Sequence, residues 1–244
     1  MPRLLVINPN TSAHVTEALS RNLAAQVPAG WQIQAVTARF GAAYIASEAA
    51  YAIAAHAVLD AWATAAGEFD AVLVGCFGDP GLDALREIAG VPVLGLAETA
   101  MQAAARHGRF AIVTGGERWP AILRRRVAAT GLSGQLAGIR VLPESGAELL
   151  ADPARAIERL TEESHLARDT WGVEAVIIGG AALAGMGDVI AARLSFCVID
   201  NVSAAARALT ALPPAQPALP QPATCSGLST ELICRLAGTA RELV

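Results

Sequence analysis

The sequence predicts an α/β fold with two similar lobes, each a four-stranded parallel sheet flanked by helices. Three observations predict it: short aliphatic runs alternate with alanine-rich helical stretches, the runs are apolar throughout, and they recur in two halves. A strand that is apolar at every position is typical of a parallel sheet covered on both faces. The composition agrees with a large core, since 54% of the 244 residues are hydrophobic and 16% are charged.

Eight apolar runs are the predicted strands: Leu4–Ile7, Ile33–Thr37, Ala71–Gly75, Val91–Gly95, Phe110–Thr114, Arg140–Leu142, Ala175–Ile178 and Cys197–Ile199. Helices are expected between them, one of which is Leu82–Ala89. A proline-rich stretch from Leu212 to Pro222 predicts an extended surface connection, because proline cannot continue a helix. An amphipathic helix over Leu228–Val244 is expected to follow it.

An internal repeat relates the two halves of the chain. Gly180 follows Cys76 by 104 positions at the ends of two similar strands, and Asp200 follows Gly95 by 105. Parallel strands resemble one another in composition, but this shared spacing favours a duplication. We expect residues 1–97 with 206–244 to form the first lobe and residues 98–205 to form the second.

Composition and charge exclude several classes of partner. The formal net charge is −4 and the chain has no lysine, and the arginine triplet at 124–126 is interpreted as a solvated helix face, so we expect no nucleic-acid partner. The start of the chain lacks the signal-peptide pattern, and the most apolar stretch, 49–67, carries His56 and Asp60. The prediction is a cytoplasmic protein that does not bind membranes and acts on a small molecule. The apolar composition also suggests a homo-oligomer.

The four cysteines show no metal-ligand spacing, so no metal site is expected and the thiols should stay reduced. Ligands of parallel α/β sheets bind beyond the carboxyl ends of strands, and two such ends hold polar groups. Asn8 and Ser12 follow the first strand, and Thr114 and Gly115 end the first strand of the second half. These groups suit a carboxylate or a urea-like group, although an ordinary helix cap and a tight turn remain alternatives.

The loop Gly75-Cys-Phe-Gly-Asp-Pro-Gly81 holds the strongest candidate, Cys76. Glycines let a ligand approach the backbone, and the helix that follows should favour a thiolate. The alternative is a buried structural cysteine. The corresponding loop from Gly179 to Gly185 has no side chain that exchanges a proton. The histidines form no evident pair with a cysteine, and the four tryptophans are interpreted as core or interface residues.

Several motifs together resemble the aspartate/glutamate/hydantoin racemase superfamily, and its hydantoin branch most of all. They are Asn8-Pro-Asn-Thr-Ser12, Tyr44-Ile-Ala-Ser47, Gly75-Cys-Phe-Gly-Asp-Pro-Gly-Leu82, Pro92-Val-Leu-Gly-Leu-Ala-Glu98 and Val198-Ile-Asp200. The resemblance implies an active site in the cleft between the lobes and no metal, pyridoxal phosphate or nucleotide. It implies two cysteines on opposite faces of the substrate's α-carbon. Cys76 matches the first, whereas the second would stand at position 180, which is glycine.

The leading hypothesis is a cofactor-independent racemase or epimerase with one catalytic thiol, Cys76, acting next to a carbonyl or carboxylate. Its substrate would be an amino acid or a cyclic ureide such as a hydantoin. The residues expected to bind it are Asn8, Ser12, Phe77, Thr114, Gly115, Gly180 and Ala181. One alternative is a one-cysteine decarboxylase or isomerase on the same scaffold, although the decarboxylase cysteine would correspond to position 180. The other is a non-catalytic small-anion binding protein.

Overall fold

The computed structural model describes residues 1–219 and 225–238 and has the predicted architecture: two four-stranded parallel sheets, each flanked by helices. The first sheet consists of β1 (Arg3–Asn8), β2 (Gln32–Thr37), β3 (Ala71–Val74) and β4 (Val93–Gly95), in the order β2-β1-β3-β4. The helices that follow these strands are α1 (Ala13–Ala24), α2 (Glu48–Thr64), α3 (Leu82–Ala89) and α4 (Leu96–Ala105).

The second sheet repeats this order, as β6-β5-β7-β8. Its strands are β5 (Phe110–Gly115), β6 (Leu136–Leu142), β7 (Ala175–Gly179) and β8 (Cys197–Asp200). Its helices are α5 (Trp119–Ala129), α6 (Gly146–Ala151), α7 (Pro153–Trp171), α8 (Met186–Ala191) and α9 (Asn201–Ala208), with short 3-10 turns at Ala181–Leu183 and Leu209–Ala211. The helix α10 (Thr230–Leu236) packs on α2 through buried Leu232.

All eight predicted strands are present, and the largest difference lies in β6. That strand begins at Leu136, four residues before the prediction. It runs through Gly138, a position where a side chain would not fit. A Cβ atom at Gly138 would lie 2.4 Å from the Trp171 ring, so the indole covers the strand there. The last helix begins at Thr230, where the Ser229 side chain accepts a hydrogen bond from the Leu232 amide. Parts of the predicted proline-rich connection (220–222) and of the predicted helix (239–244) lie outside the described residues.

Local geometry supports the repeat beyond the strands. Gly81 and Gly185 stand 104 positions apart, and each precedes the helix that follows the third strand of its lobe. Both adopt a left-handed backbone, with φ of 73° and 83°. Because L side chains rarely adopt this conformation, the same turn requires glycine in both halves.

The helices α4 and α9 are exchanged between the lobes: each follows the last strand of one sheet and packs on the other sheet. Ala97, Ala100 and Met101 of α4 pack with Phe110 and Ile177 of the second sheet. On the opposite side, Val202, Ala205 and Ala206 of α9 pack with the first-sheet residues Leu4, Val6 and Leu73. The two helices also pack on each other. The lobe boundaries predicted at 97/98 and 205/206 fall within these two helices.

One buried cation ties the lobes together, and it corrects the interpretation of the arginine triplet as a solvated face. Arg124 and Arg125 are exposed, but Arg126 of α5 is only 6% exposed. Its guanidinium pairs with Glu98 and Asp83 at 3.0 Å each, and its Nε lies 3.6 Å from the Asp79 carboxylate. Arg86 of α3 pairs with Glu98 as well. The second lobe is therefore bound to three acidic groups on or beside α3 and α4.

Across residues 1–219 and 225–238, none of the helices has both the length and the apolar character that a membrane crossing requires.

Replacing Arg126 by glutamine should reduce the free energy of unfolding by about 3–5 kcal/mol, because the substitution leaves buried carboxylates without their cation. The neighbouring R124Q variant is the matched control, since Arg124 is exposed on the same helix, and it should change stability by less than about 0.5 kcal/mol. Urea denaturation of both variants measures the difference. Equal losses in R126Q and R124Q would contradict a structural role for the buried cluster.

Candidate active site

The ends of four strands, two from each lobe, border one cavity of about 60 Å³. Seven of the eight residues that the sequence singled out line it: Ser12, Cys76, Phe77, Thr114, Gly115, Gly180 and Ala181. The repeat explains why they meet, because the loops after β1 and β3 in one lobe correspond to the loops after β5 and β7 in the other. The structure therefore brings the predicted loops of both lobes to a single place.

Asn8 is the exception, because it lies behind the cavity and does not line it. The residue is fully buried, and its Nδ2 donates to Asn10 Oδ1 and Thr16 Oγ1, each at 2.9 Å. Asn10 Oδ1 accepts a second hydrogen bond from the Ser12 amide, which leaves the Asn10 NH₂ group as a donor at the cavity. The Ser12 hydroxyl donates to the Ala43 carbonyl at 2.6 Å, so it faces a ligand as an acceptor. Asn8 holds the loop in shape, whereas Asn10 and Ser12 offer their polar groups to the cavity.

The loop that carries Cys76 is held from three directions. Inside the loop, the Cys76 carbonyl accepts hydrogen bonds from the amides of Gly78 (2.8 Å) and Asp79 (3.0 Å). From α2, the Tyr51 hydroxyl donates to the Gly78 carbonyl at 2.8 Å. Burial, reinforced by the charge of Asp79, raises the pKa of Tyr51 to about 12, so the phenol keeps the proton that this bond needs. From α5, the ring of Trp119 lies against Gly78, where a Cβ atom would be 2.7 Å from it.

The fourth support is Asp79, a buried carboxylate with φ of 53°. Its two oxygens accept hydrogen bonds from the amides of Ala97 (2.9 Å) and Glu98 (2.8 Å) at the start of α4. Burial raises the pKa of Asp79 to about 7, against the opposing effects of the Ala97 amide and Arg126. Gly95 makes room for this contact, since a Cβ atom there would lie 2.4 Å from the Asp79 carboxyl carbon.

The expectation that the loop favours a Cys76 thiolate is contradicted by its surroundings. The thiol is 6% exposed, and burial raises its pKa well above the usual range. The nearby Asp79 charge raises that pKa further, because two anions repel each other. The helix α3 begins only at Leu82, and Asp79 lies between it and the thiol. Near neutral pH, Cys76 is therefore a protonated thiol.

The loop on the other side of the cavity is specific for glycine. Gly180 has φ of 143°, a backbone conformation that L side chains rarely adopt. A Cβ atom there would also press on Leu183, at 3.2 Å from Cγ. A cysteine at this position would need a different backbone conformation, so the loop in this form accepts only glycine there.

The two lobes are in contact where Phe77 lies on Gly179. A Cβ atom at Gly179 would stand 2.1 Å from Phe77 Cε1, so only glycine leaves room for the ring. Phe77 is 3% exposed and belongs to the apolar cluster that spans both lobes. This contact fixes the distance between the Cys76 loop and the Gly180 loop.

His14, Tyr44 and Trp119 are among the further lining residues that were not predicted from the sequence. Trp119 Nε1 donates to the Tyr44 hydroxyl at 3.2 Å, which joins the loop after β2 to the start of α5. The interpretation of Trp119 as core or interface is only part of its role, since its ring also forms a wall of the cavity. Tyr44 carried a sequence signal, because it begins one of the motifs that resemble the racemases. His14 carried none.

The charge of the cavity is low. Among the described residues that line it there is no arginine, and the acidic groups Asp79 and Glu98 lie behind it. The part of the chain that the structure describes contains no group of three or more His, Cys, Asp or Glu side chains arranged to hold a metal ion. The lining offers an amide, hydroxyls, an imidazole, a thiol and apolar side chains.

Comparison with known proteins shows the same relationship in sequence and in structure. The family profile described as Asp/Glu/Hydantoin racemase matches residues 4–209. A hydantoin racemase of Paenarthrobacter aurescens is 33% identical over 214 residues, which are 86% of this chain and 90% of that protein. One of a Pseudomonas species is 31% identical over 204 residues, 83% of this chain and 82% of that protein. The structure of an allantoin racemase from Klebsiella pneumoniae superposes with a TM-score of 0.81 at 33% identity, covering 86% of each chain.

Replacing Gly179 by alanine should displace the Phe77 ring and lower the free energy of unfolding by about 1–3 kcal/mol, as overpacked core sites do. G134A is the matched control, because a Cβ atom at Gly134 meets nothing within 4 Å and no positive φ is involved. Urea denaturation of both variants checks the contact. A G179A variant as stable as G134A would contradict it.

Replacing Asp79 by asparagine should lower the pKa of the Cys76 thiol, because the substitution removes a neighbouring negative charge. The effect should be partial, since burial is the larger cause, and it should appear above about pH 7, where Asp79 is ionised. The measurement is the rate of Cys76 alkylation by iodoacetamide against pH, followed by mass spectrometry. The control is D83N, which removes an exposed carboxylate that pairs with the same Arg126.

In the wild type the alkylation midpoint should lie above the value of about 8.5 of a free cysteine. A midpoint below that value, or one that D79N leaves unchanged, would show that the thiol is not governed by burial and Asp79.

Proposed function

Because the chain belongs to the Asp/Glu/hydantoin racemase family, we propose that it racemises a cyclic ureide, a 5-substituted hydantoin or allantoin, at the carbon next to a ring carbonyl. The observation that carries the proposal is the protonated Cys76 thiol in a small cavity lined without a cationic arginine. The relatives named hydantoin racemases and the structural neighbour named an allantoin racemase support the choice of substrate.

The lining of the cavity favours a neutral ring over an amino acid. An aspartate or glutamate substrate would bring two carboxylates, and a buried carboxylate is costly unless a cation or several donors meet it. A hydantoin ring offers instead amide N–H groups and carbonyl oxygens. The Ser12 hydroxyl can accept from such an N–H, and Asn10 and Thr114 can donate to a carbonyl. Apolar side chains such as Ile45 and Leu183 can cover a 5-substituent.

The proposed reaction moves protons only. A base removes the proton from the ring carbon, and the electron pair of the broken C–H bond moves into the adjacent carbonyl, which becomes enolate-like. An acid on the opposite face then donates a proton to the same carbon and inverts it. In this scheme the Cys76 thiol donates from its face, and the thiolate that remains removes the proton in the reverse direction. No electron is transferred between molecules, so the chemistry requires no redox cofactor.

The cavity also explains why a buried thiol would serve. Hydrogen-bond donors at the carbonyl stabilise the enolate more strongly where water is excluded, because the local dielectric constant is low. The exclusion of water also keeps the thiol protonated until the carbanion-like carbon beside it accepts the proton. The homo-oligomer and the cytoplasmic location suggested by composition stay predictions.

The direct test follows the optical activity of an enantiopure 5-substituted hydantoin and of allantoin, with aspartate and glutamate as comparison substrates. The wild type should racemise a ureide well above the spontaneous rate and leave both amino acids unchanged. C76S should lose at least about 10²–10⁴-fold in rate, the usual contribution of an acid–base group. C225S is the matched control, since Cys225 does not line the cavity, and it should keep the wild-type rate.

Two results would replace the proposal. A chiral product from an arylmalonate, without racemisation of any ureide, would identify a decarboxylase. Binding of a small anion without proton exchange on any substrate would identify a non-catalytic binding protein.

A further inference from the structure

We propose that His14 is the second proton-transfer residue of this site and works on the substrate face opposite Cys76, where position 180 has no side chain. The inference rests on the proposed racemase function and names the group that this function lacks. A racemase that inverts a carbon needs proton exchange from both faces, and Cys76 reaches only one.

The composition of the cavity leaves few candidates. Among the described residues that line it, only Cys76, His14 and Tyr44 have side chains that exchange a proton as an acid or a base in water. Serine and threonine hydroxyls do not ionise in the pH range of a folded protein. The second group is therefore to be sought between His14 and Tyr44.

The repeat places His14 on the side of Gly180. In each lobe the helix after the first strand, α1 or α5, packs on the third-strand loop of the other lobe. Trp119 at the start of α5 lies against Gly78 of the Cys76 loop. In the same way α1 contacts the turn Ala181–Leu183, which follows Gly180 directly.

Further contacts show that α1 runs along this second loop. A Cβ atom at Gly185 would lie 2.5 Å from Asn22 Oδ1, and Gln26 just beyond α1 donates to Asp188 at 3.5 Å. His14 is the second residue of α1, and it lines the cavity together with Gly180 and Ala181. Its side chain is exposed and, among the described residues, takes part in no hydrogen bond or ion pair, so the imidazole is free to meet a ligand.

Tyr44 lies between the two loops. Its hydroxyl accepts a hydrogen bond from Trp119 Nε1 on the Cys76 side, while a Cβ atom at Gly146 would lie 3.8 Å from its ring and 3.2 Å from Ala182 on the Gly180 side. His14 belongs to the helix that packs on the turn after Gly180, so we place the imidazole, and not the phenol, opposite Cys76.

The proton balance closes with these two residues. The neutral imidazole takes the proton from the ring carbon, the electron pair moves into the carbonyl, and the Cys76 thiol donates its proton to the opposite face. Imidazolium and thiolate remain, and they carry the reverse reaction on the other enantiomer. Proton transfer through solvent from imidazolium to thiolate restores the starting pair. Imidazole suits this exchange because histidine changes charge between about pH 5 and 8.

The experiment measures hydrogen exchange and inversion separately. Each pure enantiomer of a 5-substituted hydantoin is incubated in deuterated water with wild type, H14N or C76S, while NMR follows the ring proton and chiral chromatography follows inversion. The H14N/C76S double variant gives the background. H107N is the matched control, because His107 is exposed and does not line the cavity.

We expect the wild type and H107N to exchange and invert both enantiomers. H14N and C76S should each lose inversion at least 100-fold. C76S should still exchange, without inverting it, the enantiomer whose ring proton faces His14, and H14N should exchange the other enantiomer at a pH high enough to ionise the Cys76 thiol. The two variants should select opposite enantiomers, a pattern that loss of structure does not produce. Wild-type inversion in H14N, or the same pattern in Y44F instead, overturns the assignment while the racemase function stands. A wild type that exchanges no ureide refutes the proposed function, and the role of His14 with it.

Discussion

The buried contact between Arg126 and the acids around α4 is the constraint on which the rest of the site depends. Asp79 follows Cys76 by three residues, and its carboxylate accepts hydrogen bonds from two amides at the start of α4, those of Ala97 and Glu98. Glu98 in turn pairs with Arg126 of the other lobe. The chain of contacts therefore runs from the cavity loop, through the exchanged helix, to the opposite lobe. A rigid body of this kind fixes the position of a thiol without any bond to the thiol itself.

The same cluster sets the chemistry of Cys76. A cation beside the thiol would favour the thiolate, but Arg126 is engaged by Glu98, Asp83 and Asp79, and the charge of Asp79 raises the pKa of the thiol. The carboxylate that anchors the loop thus adds to burial, the larger cause, in raising the pKa of the thiol. A group that begins as the acid needs a partner that begins as the base, and we assign that part to the imidazole of His14.

The sequence was sufficient for the fold and for most of the lining, because both follow from local patterns. Apolar runs located all eight strands, and their spacing located the loops that meet at the cavity. It was insufficient where tertiary packing decides. Nothing in three consecutive arginines shows that Arg126 is the buried one, and the 62 positions between His14 and Cys76 hide their common cavity. The prediction that Asn8 binds the ligand met another difficulty. A polar residue at a strand end can use its hydrogen-bonding groups within its own loop and does not need to face the cavity.

At position 180 the backbone conformation itself requires glycine. With φ of 143° and Leu183 close behind it, the loop would not accept a cysteine without rearranging. The turn that follows Gly180 packs on α1, as the Cys76 loop packs against Trp119 at the start of α5. The repeat therefore makes the two faces of the cavity equivalent in architecture and different in chemistry. A thiol supported by carboxylates serves one face, and an imidazole on an exposed helix start can serve the other.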